Sequence, residues 1–143
     1  MIDNSKTGNK PLFENHFERQ DSDIFYLNPP LVDNPNIKAG FILQDAVKAV
    51  DKPYSILSSR FGKAAYLHQN HSDIVVNLRE NETGPIVEKH EGDAIITAEK
   101  DIAISVHTAD CLPILVYHPD GFIAAVHAGW RGTLQKIALK TAS

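Results

Sequence analysis

The chain has 143 residues, a formal net charge of −4, 43% hydrophobic residues and 22% charged residues. These values are typical of a globular protein with one modest core, and the negative charge excludes the global basic surface that binds nucleic acid. No run of about 18 apolar residues indicates a membrane span, and the polar start of the chain lacks the apolar segment of a secretory signal. We therefore expect a cytoplasmic protein without a nucleic-acid or membrane partner.

The first forty residues are rich in Asp, Asn and Pro and have no clear periodicity, which predicts loops with one short strand at most. From Phe41 to Val50 apolar residues recur at helical spacing, and Pro53 follows, so a short amphipathic helix is predicted there. We expect one domain over residues 1–143, with an irregular, divergent segment at 1–40 and the motif-bearing core at 64–139.

Strand character dominates the middle of the chain. The turn sequence His118-Pro119-Asp120-Gly121 separates two apolar runs, and Pro-Asp-Gly in that position predicts a tight hairpin. The pair Gly84-Pro85 and the charged stretch 88–92 indicate a solvated connection between strands. The six runs of strand length are residues 64–69, 73–78, 93–97, 102–106, 113–117 and 122–127.

The sequence Ala-Gly-Trp-Arg-Gly follows His127 and breaks the strand pattern, after which residues 133–139 have helical spacing. This order predicts a strand, a tight turn and a helix. Backbone N–H groups at such a helix start favour anions, and Arg131 could grip a phosphate or carboxylate with two parallel hydrogen bonds. An anion site is therefore predicted at this turn.

Cys111 is the only cysteine, so it cannot form an intramolecular disulfide and is a ligand, a nucleophile or a packing residue. Together with His71 and His127 it could ligate one metal ion, because catalytic zinc commonly takes three protein ligands and keeps a fourth position open. The linear spacing matches no compact zinc finger. The three side chains would have to converge from the ends of strands.

A metal-free hypothesis uses the same residues. Cys111 would be a nucleophile, His127 its base, and Asp110 or Gln69 the group that orients the base, as in cysteine hydrolases and amidases. His71 is superfluous to that arrangement but completes an open zinc site. A third hypothesis is an inactive domain that serves only in interactions. In each case Asp110 favours a pocket or edge for Cys111, because burying a carboxylate without a partner is costly.

The strings QNHSDIVV, GDAIIT, TADCLPILVY and HAGWRG resemble the YfiH family, also called the laccase-domain or polyphenol-oxidase-like family, over roughly residues 69–139. The resemblance implies an α/β (α+β) fold of mixed β-sheets flanked by helices. It also implies a metal site formed by His71, Cys111 and His127. Domains of that family continue well beyond HAGWRG, so we expect a C-terminally truncated form, in which self-association could cover the exposed sheet.

The resemblance further implies purine nucleoside and phosphate as substrates, through phosphorolysis of adenosine, inosine, guanosine and methylthioadenosine and through deamination of adenosine. An older label of the family is copper-dependent polyphenol oxidation. Multicopper oxidation needs several copper centres, and this chain has one cysteine, one methionine and seven histidines. Zinc is therefore the predicted cofactor, with copper as the alternative.

Four further side chains are assigned roles on this interpretation. Arg131 would bind phosphate, Gln69 would contact substrate or phosphate, and Asp110, beside Cys111, would orient a ligand or transfer a proton. Trp130 would either stack on a base or pack the turn against the sheet.

Overall fold

The computed structural model describes residues 17–19, 24–27, 34–42, 55–79, 86–87 and 90–143, and the chain divides into two compact units, Met1–Ala49 and Val50–Ser143. In the first unit, β1 (Phe17–Arg19), β2 (Ile24–Leu27) and β3 (Gly40–Ile42) form an antiparallel sheet in that order.

Two expectations for this unit differ from the structure. At most one short strand was predicted before residue 40, whereas β1 and β2 both lie there. Phe41 and Ile42 were predicted to begin a helix but belong to β3, where they pair with β2, so the local helical spacing was misleading. The remainder of that predicted helix, residues 43–50, lies outside the described residues.

The elements described in the second unit are α1 (Ser55–Phe61), β4 (Lys63–Ala65), β5 (Val75–Leu78), β6 (Ile86–Val87), β7 (Ala94–Thr97), β8 (Ile102–Ile104), β9 (Leu112–Tyr117), β10 (Ile123–Ala128), α2 (Trp130–Leu134) and α3 (Ile137–Thr141). The strands β6, β4 and β8 form a parallel sheet in that order. The strands β5, β7, β10 and β9 form a mixed sheet in which β5 and β7 are parallel and the other pairs antiparallel. The mixed sheets with a few helices confirm the predicted α+β fold class.

The mixed sheet is buried on both faces at its centre. Successive residues of a strand point to opposite faces, so Ile95 and Ala125 pack in one apolar cluster while Ala94 and Val126 pack in another. The second cluster also contains Ile137 of α3, which is fully buried. This two-sided burial fixes the central strands, whose ends carry the candidate site.

The six predicted strand runs all contain observed strands, and the hairpin of β9 and β10 is confirmed. Its turn is closed by a hydrogen bond from the Gly121 N–H to the His118 carbonyl at 2.9 Å, and Gly121 has a φ of 96°, which glycine adopts without strain. The first run is shorter than predicted, because the strand ends at Ala65. Neither α1 nor β6 was predicted.

The predicted continuous helix over residues 133–139 is wrong. Two five-residue helices, α2 and α3, occupy this region, separated at Lys136, which has a left-handed φ of 63°. The Lys136 N–H bonds to the Thr133 carbonyl, which tightens the end of α2. The chain then turns so that Ile137 and Thr141, four residues apart, are both buried. Among the helices described, none is long and apolar enough to cross a membrane.

Candidate metal centre

One edge of the mixed sheet gathers the predicted ligands. The strands β5, β7 and β9 begin at this edge and β10 ends there, because β10 runs antiparallel to β7 and β9. Leu112, the first residue of β9, is paired with Ala128, the last residue of β10. Cys111 immediately before β9 and His127 near the end of β10 are therefore neighbours, although 16 positions separate them in the sequence.

His71, Cys111 and His127 converge at this edge. Each offers one ligand atom, and the three atoms all lie within 4.8 Å of one another. The two imidazole rings meet edge to face, with centroids 4.9 Å apart and an interplanar angle of 79°. The predicted trio is thus brought together as a compact His/Cys/His group.

His127 is held by a carboxylate that was not predicted as a site residue. The ring is 4% exposed, and its Nδ1 lies 2.7 Å from Oδ1 of Asp93, which is fully buried directly before β7. The sequence suggested Asp110 or Gln69 as the group orienting this imidazole, but the contact belongs to Asp93. Because Nδ1 is engaged, Nε2 is the nitrogen left for a metal ion or another partner.

The His71 loop is shaped around the same carboxylate. The backbone N–H groups of Asn70, His71 and Ser72 donate to Asp93 at 3.3, 3.1 and 2.6 Å, and the Ser72 hydroxyl donates at 2.6 Å. His71 itself has a left-handed φ of 61°. Such backbone conformations persist where the surroundings enforce them, and they concentrate at functional sites.

Asp93 remains an acceptor despite its burial. Burial favours the protonated carboxyl, but hydrogen bonds from Ser72, His127 and the Asn70 backbone outweigh it and hold the pKa of Asp93 below its ordinary value. A sequence signal existed for this residue, because an Asp that starts an apolar strand needs partners to be buried. The sequence alone does not identify those partners.

Cys111 is partly buried beside Asp110. Desolvation raises the pKa of the Cys111 thiol, and the Asp110 carboxylate, through its charge and a hydrogen bond at 3.8 Å, raises it further. The Thr108 hydroxyl donates to the Cys111 carbonyl and closes the turn that leads into β9. In this environment the thiol proton is retained unless a cation approaches the sulfur.

Two glycines of the HAGWRG motif make room for the cluster. A Cβ on Gly129 would lie 3.1 Å from Cδ2 of His71, 3.3 Å from Sγ of Cys111 and 3.9 Å from Cε1 of His127. A Cβ on Gly132 would lie 2.8 Å from the Ser72 carbonyl oxygen. The absence of a side chain at both positions therefore lets the turn after β10 approach the His71 loop.

The remaining predicted residues surround the group unequally. The Gln69 amide is engaged with the backbone of His107, donating to its carbonyl at 2.8 Å and accepting from its N–H at 2.7 Å. It thereby braces the His71 loop against the loop that leads to Cys111. Arg131 is exposed, and its guanidinium carbon lies 5.2 Å from the centroid of the Trp130 ring.

An open groove of about 530 Å³ adjoins the sulfur of the cluster. Trp130 lines it and is 71% exposed, so it does not pack the turn against the sheet, which was one of its two predicted roles. The groove is lined by Asp110, Cys111, Leu112, Ala128, Gly129, Trp130, Thr133 and Leu134.

The fold and site define an α+β protein with a His/Cys/His group at a sheet edge, beside an apolar groove. Residues 32–143 match the family described as multi-copper polyphenol oxidoreductase laccase. The chain belongs to this family, which is the one that the sequence motifs resemble.

Curated relatives of the chain carry the name purine nucleoside phosphorylase. One from Clostridium acetobutylicum is 44% identical over 77 residues, which are 53% of this chain and 30% of the relative. Another, from Aquifex aeolicus, is 44% identical over 73 residues, or 51% of this chain and 33% of the relative. The matched segment thus spans about a third of the length of these relatives.

Two solved structures share the fold. YlmD from Geobacillus stearothermophilus has a TM-score of 0.66 at 20% identity, covering 87% of this chain and 56% of that one. The Neisseria meningitidis protein NMB0706 has a TM-score of 0.55 at 27% identity, covering 89% of this chain and 56% of that one. The chain therefore corresponds to about half of each solved relative.

Proposed function

We propose that this chain carries the metal centre of a purine nucleoside phosphorylase, with His71, Cys111 and His127 as ligands of one zinc ion. The observation that supports this most strongly is the convergence of the three ligand atoms within 4.8 Å, beside an open groove. The phosphorylase names of the curated relatives support the reaction class.

The donor set fits zinc in the number and type of its ligand atoms. Zinc bonds to Cys sulfur and His nitrogen measure about 2.0–2.3 Å, so a tetrahedral ion brings its ligand atoms to about 3.3–3.7 Å from one another. The group of this chain needs to contract by about 1 Å to reach that spacing. When bound with an open fourth position, such an ion acts as a Lewis acid and lowers the pKa of water. Copper, which also accepts thiolate and imidazole, is the alternative ion.

The groove suits a flat, apolar ring. Trp130 offers an exposed aromatic ring, and the exposed Leu112 and Leu134 add apolar surface to the lining. Aromatic side chains stack on heteroaromatic bases in an offset arrangement, with a gain beyond simple burial. We assign the purine base to this groove.

Phosphate would be bound next to the base. Phosphorolysis forms a bond between a phosphate oxygen and the anomeric carbon of the ribose, and the bond from that carbon to the base nitrogen breaks with its electrons. Arg131, exposed at the same turn, is assigned to the phosphate, and Asp110 at the groove is assigned to proton transfer or ligand orientation. Gln69 is assigned to contact substrate or phosphate, as predicted from the sequence, in addition to connecting the His71 loop with the loop that leads to Cys111.

Adenosine deamination is a further activity that we propose for the same centre. The reaction adds the oxygen of a water molecule to the purine carbon that bears the amino group and releases that group as ammonia, and a bound zinc ion would activate the water. Polyphenol oxidation by copper is the competing chemistry suggested by the family description. A cytoplasmic location, the absence of nucleic-acid and membrane partners, self-association and a single domain all stay predictions.

One observation favours a second candidate, a cysteine hydrolase or amidase. Cys111 lies close to His127, and His127 in turn contacts Asp93. In a thiol enzyme these three residues would be the nucleophile, its base and the carboxylate that orients the base. His71 has no part in that chemistry although it belongs to the same group of three side chains. Chelation separates the candidates, because a thiol nucleophile does not need the metal ion.

Incubation with inosine and phosphate, with zinc supplied, tests the proposed function. We expect hypoxanthine and ribose 1-phosphate in equal amounts, measured by chromatography, and their loss in Cys111→Ala and after chelation. Trp130 is the only tryptophan, so quenching of its fluorescence by inosine gives an independent measure of binding in the groove. Activity that survives chelation but not Cys111→Ala supports the thiol nucleophile. If no product forms and inosine causes no quenching, the chain is inactive by itself.

A further inference from the structure

Asp93 contacts two of the three candidate ligands through one carboxylate. Its Oδ1 lies 2.7 Å from Nδ1 of His127 and accepts from the His71 N–H at 3.1 Å, while Oδ2 accepts from the N–H groups of Asn70 and Ser72 and from the Ser72 hydroxyl. We propose that Asp93 is the positioning residue of the metal centre, fixing the tautomer of His127 and the backbone turn that carries His71. This rests on the proposed function only in assuming that the cluster binds metal.

The His127 ring is the first group that Asp93 positions. An ionised carboxylate accepts hydrogen bonds and does not donate, so the proton of a neutral imidazole beside it lies on Nδ1. Nε2 then carries a lone pair, which is the form that ligates a metal. Both side chains are buried and the two atoms lie 2.7 Å apart, so the geometry favours this tautomer in the metal-free protein.

The His71 backbone is the second group that Asp93 positions. Its φ of 61° is disfavoured for residues with a side chain, although His tolerates it better than branched residues. The three consecutive N–H groups of residues 70–72 converge on Asp93, an arrangement that binds anions in other proteins. Here the anion belongs to the chain itself. Without this carboxylate, the three N–H groups would lose their acceptor, and no hydrogen bond from them would stabilise the left-handed turn at His71.

Because one group performs both tasks, an isosteric amide cannot replace it. In Asp93→Asn, an amide oxygen directed at His127 leaves the NH2 group facing the N–H and hydroxyl of Ser72. The opposite orientation places the NH2 group against Nδ1 of His127. In either orientation, hydrogen bonds that hold His127 or the His71 loop are lost. The control Ser72→Ala removes one hydroxyl and keeps the contacts of Asp93 with His127 and with the His71 N–H.

The test uses the full chain, with zinc as the probe. In metal-free wild type, nitrogen-15 spectra of labelled histidine are expected to show His127 protonated on Nδ1, with its signals assigned from His127→Gln. A strong nuclear Overhauser effect between the amide and α protons of His71 itself is expected, because these two protons approach each other most closely at positive φ. These two measurements need no Asp93 variant, so they remain decisive if Asp93→Asn fails to fold.

Zinc affinity, measured by competition with a chelator, completes the test. Changes at residues that support metal ligands typically weaken binding by about 10–100-fold, which we expect for Asp93→Asn, against less than about threefold for Ser72→Ala. Protonation of His127 on Nε2 in the wild type would overturn the proposal. So would a folded Asp93→Asn protein with wild-type affinity. A wild type that binds no zinc instead refutes the proposed function, while the His127 tautomer and the Overhauser effect at His71 still decide the role of Asp93.

Discussion

The most informative single substitution is Gly129→Ala, because its added methyl group points at all three candidate ligands. The contacts at 3.1 Å to His71 and 3.3 Å to Cys111 are closer than the ordinary carbon contact distance of about 3.5–4.0 Å, so both side chains must move by a few tenths of an ångström. Gly129 has φ −69° and ψ 170°, which alanine adopts freely. The effect is therefore steric.

Its magnitude follows from two opposing terms. Overpacking of this kind typically costs about 1–3 kcal/mol, and replacing glycine by alanine at a permitted backbone angle returns about 0.4–1 kcal/mol through the unfolded state. We expect the metal-free protein to lose about 1 kcal/mol of unfolding free energy in urea. Because the ligands must also contract around the ion, zinc binding is expected to weaken by about tenfold, or about 1.4 kcal/mol.

The matched control is Gly121→Ala in the turn between β9 and β10. A Cβ there meets nothing within 4 Å, but the φ of 96° is unfavourable for alanine. We expect this control to lose about 1–2 kcal/mol of stability with unchanged zinc affinity in a competition assay with a chelating dye. A folded Gly129→Ala protein that binds zinc within twofold of the wild type would refute the steric account of the motif.

Three other predictions test the scaffold. Ile137→Ala is expected to lower the unfolding free energy by about 2–5 kcal/mol because the side chain is fully buried. The control Leu139→Ala removes an exposed side chain and is expected to change the unfolding free energy by less than about 0.5 kcal/mol. Equal effects would contradict the packing of α3. Gly132→Ala is expected to lower the midpoint temperature of thermal unfolding, because its Cβ would lie 2.8 Å from the Ser72 carbonyl oxygen. An unchanged midpoint would show that α2 lies further from the His71 loop. The hydrogen bond from Lys140 lowers the pKa of Asp73, so the pair stabilises the folded state at neutral pH and this stabilisation is lost in acid. Lys140→Ala should therefore flatten the pH dependence of the unfolding free energy at low salt. An unaltered pH dependence in denaturant titrations would contradict this prediction.

The sequence predicted the residue types of the site better than their environment. Periodicity located the strands of the mixed sheet, and turn chemistry located the hairpin that brings Cys111 near His127. It did not identify Asp93 as a site residue, because its partners come from a loop more than 20 positions away and their convergence depends on strand order.

Local patterns were least reliable where tertiary packing decides the backbone. The segment from residue 133 has helical spacing throughout, yet the left-handed Lys136 divides it so that Ile137 enters the core. Helical spacing likewise misled at Phe41 and Ile42, which pair with β2. In both places sheet packing outweighs a weak local preference, which one sequence does not reveal.

X-ray absorption at the zinc edge tests the central claim most directly, since it counts the ligand atoms around the ion. In the zinc-loaded chain we expect one sulfur at about 2.3 Å and at least two imidazole nitrogens at about 2.0–2.1 Å, with the sulfur shell lost in Cys111→Ser. A spectrum of the wild type without sulfur, or with more than one sulfur, would contradict a centre built from His71, Cys111 and His127.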